Sequence, residues 1–367
     1  MTSRNGVARS SGGATRRAPI SMRSAPSRSR PNSPVTTDPA ADPMKYRKLG
    51  ETGILVSEVG FGAWGIGGRT AGATSYGDTD DAQSLRALHR ALDLGITLFD
   101  TSSAYGSGHS EVLIGRAVAG RRGEAVIATK AGYDDWTKPP DFSAAAIRRS
   151  TELSLKRIGT DYLDVLQLHN PPSDVLAAGE TKEVLASLAA EGKIRSWGVS
   201  AKNPAGAVEA LRGAGAPIVQ ANFNMMDVRV VTEGLLDEVG RHGAAFIART
   251  PLCFGFLTGT IDRSTVFAAG DHRAAWSRAQ LDNWIDGARD LISAASATPG
   301  REAVLSALRF CLSFGTVSSV IPGVLHPAEA ETNAQASEQG ALPADVVEKV
   351  LAINATRDFF VSPIRAS

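Results

Sequence analysis

The stretch Phe99–Glu111, "FDTSSAYGSGHSE", starts as the end of a buried strand and changes character within one residue. The run "ITLFD" that leads into it is apolar and β-branched until Asp100 closes it with a carboxylate. Tyr105 then places a phenol five positions later, in a loop of small residues. An acid and a phenol side by side where a strand gives out call for a fold whose strand ends are its working surface.

Outward from this stretch, the chain reads as strand-like runs alternating with helical ones. A hairpin is expected around "YRKLGETGILVS" (residues 46–57), and eight apolar runs follow: "EVGFG", "ITLFD", "AVIATK", "YLDVLQLH", "IRSWGVS", "PIVQAN", "AAFIA" and "VSSVIPG". Between them, apolar residues recur at helical spacing, as at Leu85, Leu88, Ala91 and Leu92 after the acidic start "DTDD". Further helical stretches are expected over 109–120, 143–158, 180–191, 204–213, 231–241 and 300–313. Strands apolar on both faces, alternating with helices, predict a parallel sheet covered by helices. Eight such units fit an α/β fold of the (β/α)8 TIM-barrel type better than an open doubly wound sheet. Two segments exceed that plan: 250–299, a long connection after the seventh barrel strand, and 343–367, an extra C-terminal helix. A connection of that length suits a lid or binding loop.

One motif points elsewhere. Gly60, Gly62 and Gly65 in "VGFGAWGIGG" match the GxGxxG spacing of a dinucleotide-binding turn, with Asp80 and Asp81 at a suitable distance. That turn requires a helix to open on the third glycine. The residues there, "IGGRTAGATSYG", do not start one, so the Rossmann reading is set aside.

Composition narrows the class. The chain has 367 residues, 43% hydrophobic and 21% charged, enough for one barrel-sized core, and no apolar run approaches the roughly 20 residues that cross a bilayer. A cytoplasmic protein is expected, with neither membrane nor nucleic acid as partner. Cys253 and Cys311 lack metal-ligand or disulfide spacing and are expected to be reduced and buried, with no metal site. Residues 1–43 carry seven Arg against Asp38 and Asp42, while 44–367 hold 32 basic and 36 acidic residues, a net of −4. The arm's Ser, Pro, Gly and Arg content predicts disorder. A basic arm suits nucleic acid or a transit peptide; the preferred reading is an over-extended start or dispensable leader before Met44.

In a (β/α)8 barrel, side chains from the C-terminal strand ends converge on one mouth. Those ends supply Asp100, Lys130 and His169, with Tyr105 just beyond the first. Singly, each has a plainer reading: Asp100 as a turn cap, Lys130 as a solvated strand end, His169 as a hydrogen-bonded core residue. Together they make a coherent proton donor. A phenol ordinarily titrates near pH 10, too high for efficient exchange at neutral pH. A nearby ammonium favours the phenolate, and a carboxylate keeps that ammonium charged and aimed. A histidine opposite can hold a carbonyl oxygen beside the phenol.

"FDTSSAYG", "IATKAG" and "YLDVLQLHNP" together resemble the motifs of the aldo-keto reductase superfamily, and the resemblance runs over essentially all of 44–357. It implies a barrel that binds nicotinamide without a Rossmann domain. It also implies a catalytic tetrad of Asp100, Tyr105, Lys130 and His169, with hydride passing to a carbonyl carbon and Tyr105 giving the proton to its oxygen. By the same resemblance, Ser200 in "WGVSAKN" and Gln220 in "IVQANFN" hold the nicotinamide amide, although Ala201 replaces the usual Asn. Arg249 stands where many members stack an aromatic ring, and a guanidinium plane can stack as well. Thr250, Leu252 and Gly255 in "TPLCFGFLTG" fall on the pyrophosphate loop, and Gly323, Glu329 and Asn333 in "IPGVLHPAEAETN" on the adenosine-phosphate site.

The resemblance implies NADP(H), with NAD(H) possible. Glu329, and the absence of Lys or Arg from 321–333, point to a weak or reversed preference for NADPH. A pocket lined by Trp64, Tyr133 and Asn170, with Trp136 and the aromatics Phe254, Trp276 and Trp284 nearby, suits a flat or apolar carbonyl compound. The expected function is reduction of an aldehyde, ketone or sugar carbonyl, or the reverse oxidation. The alternatives are a nicotinamide-binding regulatory or redox-sensing subunit, and a barrel isomerase or lyase. Oligomeric state is not readable from these residues.

Overall fold

The computed structural model describes residues 44–70 and 74–361. The expectation of a disordered arm over 1–43 lies outside the described residues.

A short antiparallel hairpin comes first, with β1 (Tyr46–Lys48) paired to β2 (Leu55–Ser57). Eight parallel strands follow: β3 (Phe61–Gly62), β4 (Leu98–Asp100), β5 (Val126–Ala131), β6 (Leu163–His169), β7 (Ile194–Ser200), β8 (Ile218–Asn222), β9 (Ala245–Arg249) and β10 (Val317–Ile321). Each pairs with its neighbours in chain order. The ring closes where Val59 bridges Val320 and Gly62 bridges Gly323, with Gly62 N donating to Pro322 O at 2.8 Å. This is the TIM-barrel architecture expected from the alternation.

The helices form where the local chemistry starts and stops them. Asp80 caps Asp81–Asp93 by accepting from Gln83 N, and Ser143 caps Ala144–Ile158 by accepting from Ala146 N. The second of these ends on Gly159, whose φ of 72° is the left-handed conformation that glycine adopts without strain. The long 250–299 connection is not a bare loop, because it contains a 17-residue helix, Arg278–Ala294, capped by Ser277. The extra C-terminal helix is Ala344–Thr356. Among the described residues no helix is long and apolar enough to cross a membrane. Both cysteines are free and buried, as expected.

Two apolar clusters divide the interior. The larger lies between helices and strands; the smaller joins Leu49, Ile54 and Val56 of the hairpin region to Leu98, Val126, Ala128, Val165, Ile218, Ala245, Ile247 and Ile321. Side chains along a strand alternate with period two. Two residues beyond Leu98 is Asp100; beyond Ala128, Lys130; beyond Val165, Gln167 and then His169; beyond Ile218, Gln220; beyond Ile247, Arg249. The hairpin residues pack with the lower layer of that inner stripe, and the same stripe turns polar at the C-terminal ends.

The three glycines of the GxGxxG coincidence have packing roles. A Cβ on Gly60 would meet Leu98 O at 3.0 Å, one on Gly65 would meet Leu325 Cδ2 at 2.8 Å, and one on Gly62 would meet Ile321 O and Pro322 O, both at 2.8 Å. The obstacles at Gly62 are backbone atoms of the closing strand pair, which cannot step aside. Gly62→Ala is therefore expected to destabilise the barrel by roughly 1–3 kcal/mol, read as a lowered Tm. Gly123→Ala, where a Cβ meets nothing within 4 Å, serves as the control. Equal Tm values for the two variants would contradict this account of closure.

Candidate active site

Strand register brings the polar residues into one ring. Lys130 is paired with Gln167 across β5 and β6, His169 with Ser200 across β6 and β7, and Ser200 with Gln220 across β7 and β8. Registered partners in a parallel sheet point to the same face, so these side chains share the mouth.

At its centre Lys130 Nζ donates to Asp100 Oδ1 at 2.5 Å and to Thr101 O at 2.7 Å. Both side chains of the ion pair are buried. The same ammonium lies 3.3 Å from Tyr105 Oη. Asp100 Oδ2 accepts from two amides, Gln220 Nε2 at 2.8 Å and Gln167 Nε2 at 3.0 Å. The chain of contacts continues outward: Ser200 Oγ donates to Gln220 Oε1 at 2.9 Å, and Arg249 donates to Ser200 Oγ at 3.3 Å and to Ala201 O at 2.9 Å. Arg249 is thus braced across the end of β7 through its terminal nitrogens.

His169 stands opposite the phenol, its ring 6.1 Å from that of Tyr105 and nearly perpendicular to it. Its Nδ1 shares a hydrogen bond of 3.3 Å with Ser102 Oγ, which also accepts from Ala104 N at 3.2 Å. Tyr133 and Trp136 flank the imidazole at 5.6 and 5.2 Å between ring centroids. Burial, with the Lys130 and Arg249 cations adding to it, holds His169 well below the ordinary imidazole value. The ring is therefore neutral at physiological pH. Burial likewise lowers Arg249, with Tyr105 and Asp100 acting the other way.

The remaining expected residues fall into three places. Asn170 follows His169 with φ of 50°, and its Oδ1 is buried without a partner. Thr250 bonds Asn222 Oδ1 at 3.1 Å and opens a strained segment in which Thr250, Cys253 and Phe254 all have positive φ. Leu252 and Gly255 lie within it, and backbone strain of this kind clusters at ligand-binding loops. Gly323, Glu329 and Asn333 sit beyond β10, on and before the helix Pro327–Gln339. Glu329 Oε2 accepts from Leu325 N at 2.6 Å and His326 N at 3.0 Å, so its carboxylate caps that helix.

Trp64 stands in a second group of rings. Its indole donates to Thr74 O at 3.2 Å, and its ring packs on Tyr76 and His272 at 4.8 and 4.7 Å. His272 in turn meets Phe254 and Trp276 at 5.3 and 5.0 Å, while His272 N donates to Ser75 O at 2.9 Å. The loops after β3 and β9 are thereby tied together. Tyr76 and His272 beside Trp64, Ser102 beside His169 and Gln167 on Asp100 are neighbours of the expected site residues that motif reading did not single out. Only Gln167 carried a signal, a polar side chain two residues before His169 on the inward stripe.

With this geometry in place, comparison with known proteins defines the class. The chain belongs to the aldo/keto reductase family, whose model matches residues 58–355. It is 32% identical to the aldo-keto reductase YhdN of Bacillus subtilis over 78% of this chain and 87% of that protein. It is also 32% identical to the NADH-specific methylglyoxal reductase of Escherichia coli over 64% of this chain and 75% of that protein. A solved aldo-keto reductase from Bacillus halodurans, in its holo form, superposes with a TM-score of 0.69 at 27% identity, covering 88% of this chain and 100% of that one.

The neutral His169 sets a pH dependence. An unfolded imidazole takes up a proton as pH falls through 6.5, whereas the folded one does so only at lower pH. Between those values the unfolded state binds more protons, so stability falls as the solution is acidified below 6.5. Chemical denaturation across this range is expected to show the acid-side loss in the wild type and a flatter profile in His169→Gln. Parallel profiles would contradict the buried neutral ring.

Proposed function

We propose that this chain is a nicotinamide-dependent carbonyl reductase, reducing an aldehyde, ketone or sugar carbonyl to the alcohol or running the reverse, with Tyr105 as proton donor. The observation that carries this reading is the placement of one buried ammonium, Lys130 Nζ, 3.3 Å from Tyr105 Oη and 2.5 Å from Asp100. Proton transfer from the phenol to a carbonyl oxygen leaves a phenolate, which that ammonium stabilises where it forms. In the tautomer with hydrogen on Nε2, the neutral His169 accepts from Ser102 Oγ at Nδ1 and is able to donate to the same carbonyl oxygen. Tyr133 and Trp136 give the pocket an aromatic wall beside that point, which suits a flat or apolar carbonyl compound.

The residues fit a nicotinamide dinucleotide. The Ser200–Gln220 pair presents a hydroxyl and an amide next to the catalytic group, matching the two-sided hydrogen bonding of a carboxamide. Asn333 Nδ2 is buried without a protein partner, and a Cβ on Gly323 would meet nothing within 4 Å, leaving room at the adenosine end. A bound reduced nicotinamide would supply the hydride. Thr250, Leu252 and Gly255 would hold its pyrophosphate, and Arg249 would face its ring.

The adenosine end favours NADH. The Glu329 carboxylate already occupies the amides at the start of the helix Pro327–Gln339, the position where a helix N-terminus would receive an anion. A 2′-phosphate has to displace or face that acid. The NADH specificity in the name of the methylglyoxal-reductase relative agrees with this reading.

One assay tests the proposal. Loss of reduced-nicotinamide absorbance is followed with aldehydes and ketones, with NADH and NADPH in parallel, for the wild type and Tyr105→Phe. The substitution is expected to lower kcat by roughly 10²–10⁴-fold with cofactor Kd unchanged, and kcat/KM with NADH to equal or exceed that with NADPH. Undiminished turnover without the phenol would remove Tyr105 from its role. A preference for NADPH beyond about a hundredfold, nearly 3 kcal/mol, would overturn the cofactor assignment.

A further inference from the structure

Gln167 is fully buried and lies within the "YLDVLQLHNP" stretch, yet it has no place in the tetrad. Its amide nitrogen donates to Asp100 Oδ2 at 3.0 Å, while its amide oxygen is buried with no partner. An orphaned buried acceptor destabilises the folded state, and an apolar side chain of the same length would remove that cost. Packing alone would be met by Leu or Met at this position. What the amide adds is one hydrogen bond to the carboxylate that orients Lys130.

Asp100 Oδ2 already has a second donor, Gln220 Nε2, but the two amides are not equivalent. Gln220 also accepts from Ser200, on the side that faces the nicotinamide amide under the reading above. A ligand hydrogen-bonding to Ser200 and Gln220 competes for the groups that hold the Gln220 amide in place. Gln167 has no such second attachment, and its register partner on β5 is Lys130 itself. It can therefore keep its hold on the carboxylate while Gln220 responds to the cofactor.

We propose that Gln167 is a positioning residue for the reaction: its amide anchors Asp100 Oδ2, so that Oδ1 stays on Lys130 and Lys130 on Tyr105 as cofactor enters and leaves. This rests on the carbonyl-reductase reading only for the identity of the ligand that moves Gln220. Asp100 acts directly on Lys130 on β5 and on Arg249 on β9, and those cations in turn act on Tyr105 beyond β4 and on His169 on β6. A loosened carboxylate changes the field at all four, so the consequence extends to the pH dependence of turnover.

The test uses the full chain and Gln167→Met, which keeps length and loses the amide. Tm is expected to change little, because loss of the orphaned oxygen offsets loss of the hydrogen bond to Asp100. Cofactor Kd should stay within about twofold, kcat should fall about ten- to a hundredfold, and the limbs of the kcat/KM pH profile should move by roughly half a unit or more. A purely packing role would instead lower Tm and leave the pH limbs in place, and that result overturns the proposal. Gln167→Glu provides the rescue: a protonated carboxyl donates to Asp100 as the amide does, so its activity relative to wild type should rise as pH falls. Relative activity that is flat or falling with acid also counts against the proposal.

A second measurement does not depend on turnover. The side-chain amide resonance of Gln167, assigned by its loss in Gln167→Met, should shift in Asp100→Asn and stay in place when NADH is added, while that of Gln220 moves. A Gln167 resonance indifferent to Asp100→Asn overturns the proposal. A wild type that turns over no carbonyl defeats the reductase reading alone, since the resonance test still decides the anchor.

Discussion

The buried ion pair between Lys130 and Asp100 is the constraint around which the mouth of this barrel is arranged. Two charges withdrawn from water lose their hydration, and their mutual attraction offsets that loss only when the remaining hydrogen-bonding capacity is met. Here it is met from several strands: Thr101 O and Tyr105 Oη for the ammonium, and the amides of Gln167 and Gln220 for the carboxylate. Apolar residues of similar volume would often make a core at least as stable. The polar set is better understood through what it does to Tyr105, which alone of the group is partly exposed to the mouth.

The same network explains how distant parts of the chain act at one point. Its links run from Tyr105 through Lys130, Asp100, Gln220 and Ser200 to Arg249, crossing β4, β5, β7, β8 and β9. Each link depends on strand register, and register depends on the inner stripe that packs with the hairpin residues below. Above, the loops after β3 and β9 are joined through Trp64, Tyr76, His272 and Phe254, so the strained segment from Thr250 is held from both sides. The fold supplies a fixed floor and a tied roof, with Tyr105, the proposed proton donor, between them.

Much of this was legible because the inward stripe of a barrel strand is written with period two and ends in a residue that packing does not require. Asp100, Lys130 and His169 could be read at strand ends, and Tyr105 by its distance from the first. Gln167 carries a fainter signal of the same kind, a polar residue on the inward stripe one layer below the rim, whose partner Asp100 lies on another strand. Glu329 was read for its charge, whereas its backbone partners depend on the turn made by Leu325 and His326. The helix Arg278–Ala294 lies inside a long connection, where Ser277 caps it and Trp284, Ala288 and Leu291 line its buried face. The pairing of Trp64 with Tyr76 and His272 needs two loops nearly two hundred residues apart, a contact that no local pattern announces.

The central claim is that Lys130 and Tyr105 act as one proton-donating unit. A double-mutant cycle on kcat/KM with Lys130→Met, Tyr105→Phe and the pair measures this directly. Groups that act as a unit give strongly non-additive losses, so the double variant is expected to fall within about threefold of the less active single variant. Losses that multiply would mean that the two side chains contribute independently, and would contradict the account.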